Sequence, residues 1–222
     1  MLAVAAFAIA LAWPLGAGHG NGVHGSRVAD EPPTRFERFV LSGCSPCVTE
    51  WHPVTSLPLR PLKLPAFPRG GVGFRPGEVR VEALRAFELG RPSRQTRAMR
   101  LTLFLAAGKE FHRLGAGLVD EEEIPALMSA VTEIATLANS ATATTTGDEG
   151  ADASFRGGSL RIGLLRFQGE AVAYVQASDV HGPALRPVWE VPTTMYLPPG
   201  ELTELANAFG QVAAKFRQMR GL

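Results

Sequence analysis

The chain of 222 residues is short of several things. It has two cysteines, too few for a small domain stapled by disulfides. Its formal net charge is +1, so bulk charge gives no argument for nucleic acid or an acidic membrane as partner. No apolar run reaches the ~20 residues that a spanning helix requires. No Gly-x-Ser-x-Gly, Ser-x-x-Lys or His-Glu-x-x-His occurs, so the common nucleophile and zinc-hydrolase patterns are missing. It does not lack apolar residues, at 45% against 19% charged. That supports a globular core and argues against disorder.

The first 18 residues carry no charge. Leu2 to Leu15 is an apolar run broken only by Pro14, and Gly16-Ala17-Gly18 supplies the small residues that a signal peptidase accepts. No Lys or Arg precedes Arg27, which departs from the usual basic start of such a signal. The segment reads as a cleaved export signal, with an uncleaved anchor and a cytosolic protein as the alternatives. Leu41-Ser42-Gly43-Cys44 has the letters of a lipobox, but Arg35, Glu37 and Arg38 stand where the membrane-inserting residues belong.

Residues 19–77 read as a spacer and an extended arm. Phe36 to Leu41 is a short strand candidate. Prolines 53, 58, 61, 65, 68 and 76 exclude helix and central strand, and Leu57, Leu59, Leu62 and Leu64 are expected to lie across a domain surface. Pro58 and Pro61 also form a Pro-x-x-Pro, the weaker alternative.

The body of the chain is self-similar. Ile124, Leu127, Val131, Ile134 and Ala138 recur at an offset of 78 as Leu202, Leu205, Phe209, Val212 and Phe216, each set one apolar helix stripe. Asp120 and Glu123 form a capping-box pattern, and Val119 and Leu197 stand where each can staple onto the helix that follows. Pro125 lies about one turn in, late enough to distort the helix start. Val79-Arg80-Val81-Glu82-Ala83-Leu84-Arg85 aligns with Leu160-Arg161-Ile162-Gly163-Leu164-Leu165-Arg166 at an offset of 81. Alternation puts Val79, Val81, Ala83, Phe87 and Leu89 on one face, with Arg85 the single polar intruder. Residues 99–105, 110–114, 171–177, 187–191 and 193–197 supply further strands.

The expected class is therefore α+β: an internally duplicated antiparallel unit of three or four strands and a helix, preceded by the signal and the Pro-rich arm. The boundaries are 1–18 signal, 19–77 spacer and arm, 78–139 first half, 140–153 linker and 154–222 second half. One shared core is the economical solution, with two separate modules as the alternative. The order is similar to the Whirly and PC4-like single-stranded DNA-binding fold over residues 78–219. The likeness is topological: the Whirly signature Lys-Gly-Lys-Ala-Ala-Leu is nowhere in the chain, and fold analogy carries no function.

Candidate sites are few. Cys44-Ser45-Pro46-Cys47 has the spacing of a redox motif, but Pro53 and the prolines beyond it leave no room for the helix whose dipole activates such a cysteine. A structural disulfide Cys44–Cys47 is expected, contributing about 2 kcal/mol in the chain-entropy model. With His52, the two cysteines begin a zinc knuckle whose fourth position is Leu57, so no metal is expected. Ser178, Asp179 and His181 are loop neighbours that cannot face each other as a triad. Glu110 and His112 share a strand face. Gly70-Gly71-Val72-Gly73 and Gly115-Ala116-Gly117 lack the third glycine and the helix of a phosphate loop. The acids from Asp120 to Glu123 are explained by helix capping without Ca²⁺.

Charge is segregated: residues 35–118 hold 14 Lys or Arg and 6 acids, and residues 119–153 hold 8 acids and no base. Arg91, Arg94 and Arg97 recur every third residue in what reads as a loop, a speculative anion site, although basic strands facing the acidic helix start explain the segregation as well. The functional expectation is an exported, periplasmic or secreted, binding or assembly module without catalysis or cofactor. Its partner is an unknown protein or an anionic ligand. Polyanion binding through the arginine loop is one alternative, and an enzyme site assembled from distant residues such as Glu110, His112 and His181 is another.

Intact mass of the protein from its own host tests the signal: a mature chain lacking about 18 residues is expected. A full-length, unmodified mass would remove the signal from the account.

Overall fold

The computed structural model describes residues 34–59, 77–107, 109–140, 153–167, 170–177 and 193–220. Two four-stranded antiparallel sheets make up the β part. The first contains β1 (Cys47–Leu59), β2 (Gly77–Glu88), β3 (Arg91–Ala107) and β4 (Glu110–Asp120), in that spatial order. The second contains β5 (Ala153–Gly157), β6 (Leu160–Phe167), β7 (Glu170–Ala177) and β8 (Thr193–Leu197), again in sequence order. Each sheet is followed by a long helix, α2 (Ile124–Ser140) or α3 (Glu201–Arg220). A short helix α1 (Arg35–Arg38) running into a π-turn (Phe39–Gly43) precedes them. The class is α+β. The signal, the segment around Pro65 and Pro68, and residues 140–153 apart from Ser140 and Ala153 lie outside the described residues.

One core holds both sheets and both helices. Val79, Val81 and Ala83 on β2 face the same way as Leu103, Leu101 and Met99 directly opposite them on β3. The second sheet contributes Leu160, Ile162, Leu164, Ala173, Val175, Ala177, Met195 and Leu197. Every member of both helix stripes is buried, from Ile124 to Ala138 and from Leu202 to Phe216. Helix α2 lies against β5 and β6 of the second sheet, and α3 lies against β1 and β2 of the first. Each sheet thus uses the helix that follows the other sheet.

The start of α2 shows why local chemistry dictates this geometry. Glu123 Oε2 accepts the Asp120 N–H at 3.2 Å, and the capping box forms. The first turn, Glu121–Glu123, is a 3₁₀ helix and the α-helix begins only at Ile124. Pro125 lacks an N–H and its ring crowds the carbonyl four residues back, so the tighter turn ahead of it is the expected accommodation.

Two glycines let the sheets touch. The β5–β6 turn sits on the open edge of β4, where Ser159 N–H donates to Leu118 O at 3.0 Å and Leu118 N–H donates to Ser159 Oγ at 2.7 Å. Gly158 holds φ +52°, and a Cβ there would collide with Leu118 O. At Gly117 a Cβ would come within 3.2 Å of Leu160 Cδ1.

The structure corrects three readings of the sequence. Residues 36–41 form no strand. Thr34 Oγ1 accepts the Glu37 N–H at 3.2 Å and Glu37 Oε2 accepts the Thr34 N–H at 3.1 Å, a capping box that starts α1. Residues 47–59 are not a surface arm but edge strand β1. Pro53 and Pro58 are tolerated because the strand has one free side, and Pro53 stands where the register shifts. Residues 91–98 are not a loop, because β3 begins at Arg91.

Leu127 on α2 and Leu205 on α3 are both buried in the shared core. Leu127→Ala and Leu205→Ala are each expected to cost about 2–5 kcal/mol and to lower one common unfolding transition. Two separable transitions, each sensitive to one variant, would refute a shared core.

Candidate functional site

The first sheet presents two faces of different character. On its outer face, α1 and the π-turn seal one half: Phe36 packs with Leu84, Ala86, Ala98 and Leu118, with Phe39, Val40 and Cys47 beside them. This cover is fastened at both ends. Asp120, itself buried, accepts the backbone N–H of Arg35 at 2.6 Å and of Phe36 at 2.9 Å. Arg35 also donates to Glu122 at 3.0 Å. At the other end, Cys44 and Cys47 stand at disulfide distance with Cα atoms 5.1 Å apart. Cys47 opens strand β1, so no helix dipole acts on it.

The other half of the outer face is uncovered by α1. Arg80 lies 4.2 Å from the centre of the Phe104 ring and pairs with Glu78. Arg100 Nε donates to Glu82 at 2.6 Å. Trp51, on the edge strand, is 56% exposed. The Arg80 guanidinium, hydrogen-bonded to Glu78, holds the Glu78 carboxyl below its ordinary value of 4.5. Burial opposes the shift, and a hydrogen bond from Ser56 adds to it.

The inner face is apolar except at one end. There Glu50, Arg85 and Arg97 lie in one row across β1, β2 and β3. Arg85 Nε donates to Gln95 at 2.8 Å, and Glu50 Oε2 is 3.7 Å from its Nη1. Arg97 Nη1 donates at 3.2 Å to Glu121, which also receives Arg220 from the end of α3 at 2.5 Å. His52 Nε2 is 3.6 Å from Glu50, too far for a hydrogen bond.

The three arginines singled out by spacing are therefore not gathered. On an extended strand a step of three residues sends Arg94 and Arg97 to opposite faces. Arg94 pairs with Glu88 at 2.6 Å, Arg91 approaches the same carboxylate at 4.0 Å, and Arg97 turns inward to Glu121. Glu110 and His112 are exposed near the start of β4. Gly115 and Gly117 are buried in β4 rather than set in a loop. Ser178, Asp179, His181 and Gly70 to Gly73 lie outside the described residues. Among the described residues no three His, Cys, Asp or Glu side chains converge as a metal set, and no helix is long and apolar enough to cross a membrane. The residues that sequence reasoning passed over are Trp51, Phe104, Glu50, Glu121 and Arg220. Only the inner row had a signal, in Arg85 interrupting an apolar alternation.

No protein-family model matches the chain, and no curated protein matches it.

Because its pairing depresses the Glu78 pKa, that carboxylate stabilises the fold above its ordinary value and loses the effect as pH falls through and below it. Glu78→Gln is expected to lower stability at neutral pH and to make the decline from pH 5 to pH 3 shallower. Denaturant titrations at each pH check this. An acid limb as steep as that of the parent protein would contradict it.

Proposed function

We propose that this chain is an exported, non-enzymatic binding or assembly module whose contact surface is the half of the first sheet's outer face that α1 does not cover. One observation carries the reading. The chain covers half of that face with its own α1, the other half presents Arg80, Phe104 and Arg100, and Trp51 stands exposed on the edge strand beside the α1-covered row, opposite Leu84. Trp and Arg dominate the energetics of protein interfaces, since each buries a large surface while keeping a polar handle. Stacking Arg80 on Phe104 and holding Arg100 on Glu82 fixes both guanidinium groups before a partner arrives, which lowers the ordering cost of binding.

Export rests on the charge-free apolar start of the sequence, and a cysteine pair at disulfide distance fits an oxidising compartment. We read the two halves as an internal duplication, from the matching helix stripes and the β2–β6 alignment; the same order of strands and helix in each half fits that reading. Polyanion binding is the second reading. It moves from the arginine loop to Arg80, Arg100 and the exposed Arg113, all on the outer face.

A photo-crosslinker placed at Trp51 in the full-length chain, expressed in its own host, tests the module. A discrete crosslinked partner is expected there and not from a control crosslinker at the exposed Thr203 on α3. Identical patterns from both positions would defeat the proposal. Binding to a sulfated polysaccharide or a single-stranded oligonucleotide that collapses with salt and is lost in Arg80→Ala/Arg100→Ala would favour the second reading.

A further inference from the structure

The polar end of the inner face has a charge arrangement that the protein's own groups leave incomplete. Arg85 and Arg97 are direct cross-strand partners. Like charges placed so are destabilising unless something negative lies between or beside them. The two carboxylates at hand are Glu50, 3.7 Å from Arg85, and Glu121, which is divided between Arg97 and Arg220. Among the described residues, three guanidinium groups thus face two carboxylates.

Arg97 is the sharpest case. Its side chain is only 10% exposed. A guanidinium carries five N–H donors. Among the described residues this one makes a single side-chain hydrogen bond, to Glu121, and its buried Nε has no partner. An ionised group left with unmet donors in a dry setting is costly, because its hydration is lost and nothing replaces it. Gln95, two residues before Arg97 on the same face of β3, is already engaged by Arg85.

We propose that this end of the first sheet is a binding site for a small oxyanion. The ligand is a phosphate, sulfate or carboxylate group received by Arg97 and Arg85 and closed over by Arg220. Guanidinium groups recognise such oxygens through paired, charge-assisted N–H donors, and two on neighbouring strands with a third from a helix end make a three-sided clamp. Arg220 is 62% exposed, Glu50 38% and Arg97 only 10%, so a ligand would approach from the end of α3, with Arg97 the deepest of the three arginines. The site lies on the face opposite the proposed contact surface and stands independently of that reading.

Calorimetric titration of the full-length mature protein tests the site. Inorganic phosphate, sulfate and acetate are used as separate probes at fixed ionic strength. Saturable one-to-one binding of at least one probe is expected, and the strongest arm identifies the oxyanion class. Arg85→Gln and Arg220→Gln are each expected to weaken it roughly tenfold or more. Arg156→Gln, an exposed change on the second sheet, should leave it unchanged. Arg220 sits at a helix end in solvent, so its variant remains informative even where Arg85→Gln fails to fold. Heats no larger than dilution for all three probes would overturn the proposal, as would binding that both variants leave intact.

Discussion

Neither sheet is covered by the helix that follows it. After β4 the chain carries α2 across to β5 and β6, and after β8 it brings α3 back to β1 and β2. The physical constraint is area. Four strands and one amphipathic helix expose too much apolar surface to close alone, whereas two such units closing on each other bury both stripes and both inner faces. Much else in the molecule follows from that exchange. Gly117 of β4 is there because the second sheet comes in against its edge, and Ser159 supplies the hydrogen bonds that an unpaired edge would lack at Leu118.

The exchange also decides where chemistry can be placed. The inner faces are largely consumed by the core, and the charged row of Glu50, Arg85 and Arg97 lies beside the end of α3. The outer face of the first sheet is partitioned by α1, whose two backbone amides are taken up by Asp120. That same residue begins the capping box of α2. One carboxylate therefore ties the cover of the outer face to the start of the helix that crosses between the sheets.

The parts legible from sequence were those written in a single period. The helix stripes could be read to the residue, because each apolar position at a step of three or four is buried. The alternation of β2 was clear from Val79 to Ala83 and its exception, Arg85, marked the polar row, but Leu89, read onto the same face, lies in the turn beyond the strand and is exposed. Strand β1 was hidden because its prolines are harmless only on an edge, and edge position is a tertiary property. Strand β5 was hidden because Phe155 is its one large apolar residue, which leaves no alternation to read. Arg91, Arg94 and Arg97 lie on a strand and not in a loop, and a strand alternates equally spaced residues between its faces. Glu121 and Arg220 are 99 residues apart, a distance at which spacing says nothing about contact.

The crossing of α2 and α3 has a consequence for assembly. The interfaces that close the monomer are complementary between the two halves, so a half from a second molecule offers the same surfaces. What favours self-closure is the effective concentration set by the connection between Ser140 and Ala153. Shortening that connection below the span it must bridge would transfer the same contacts to a neighbouring chain. The expected outcome is a domain-swapped dimer with an unchanged core.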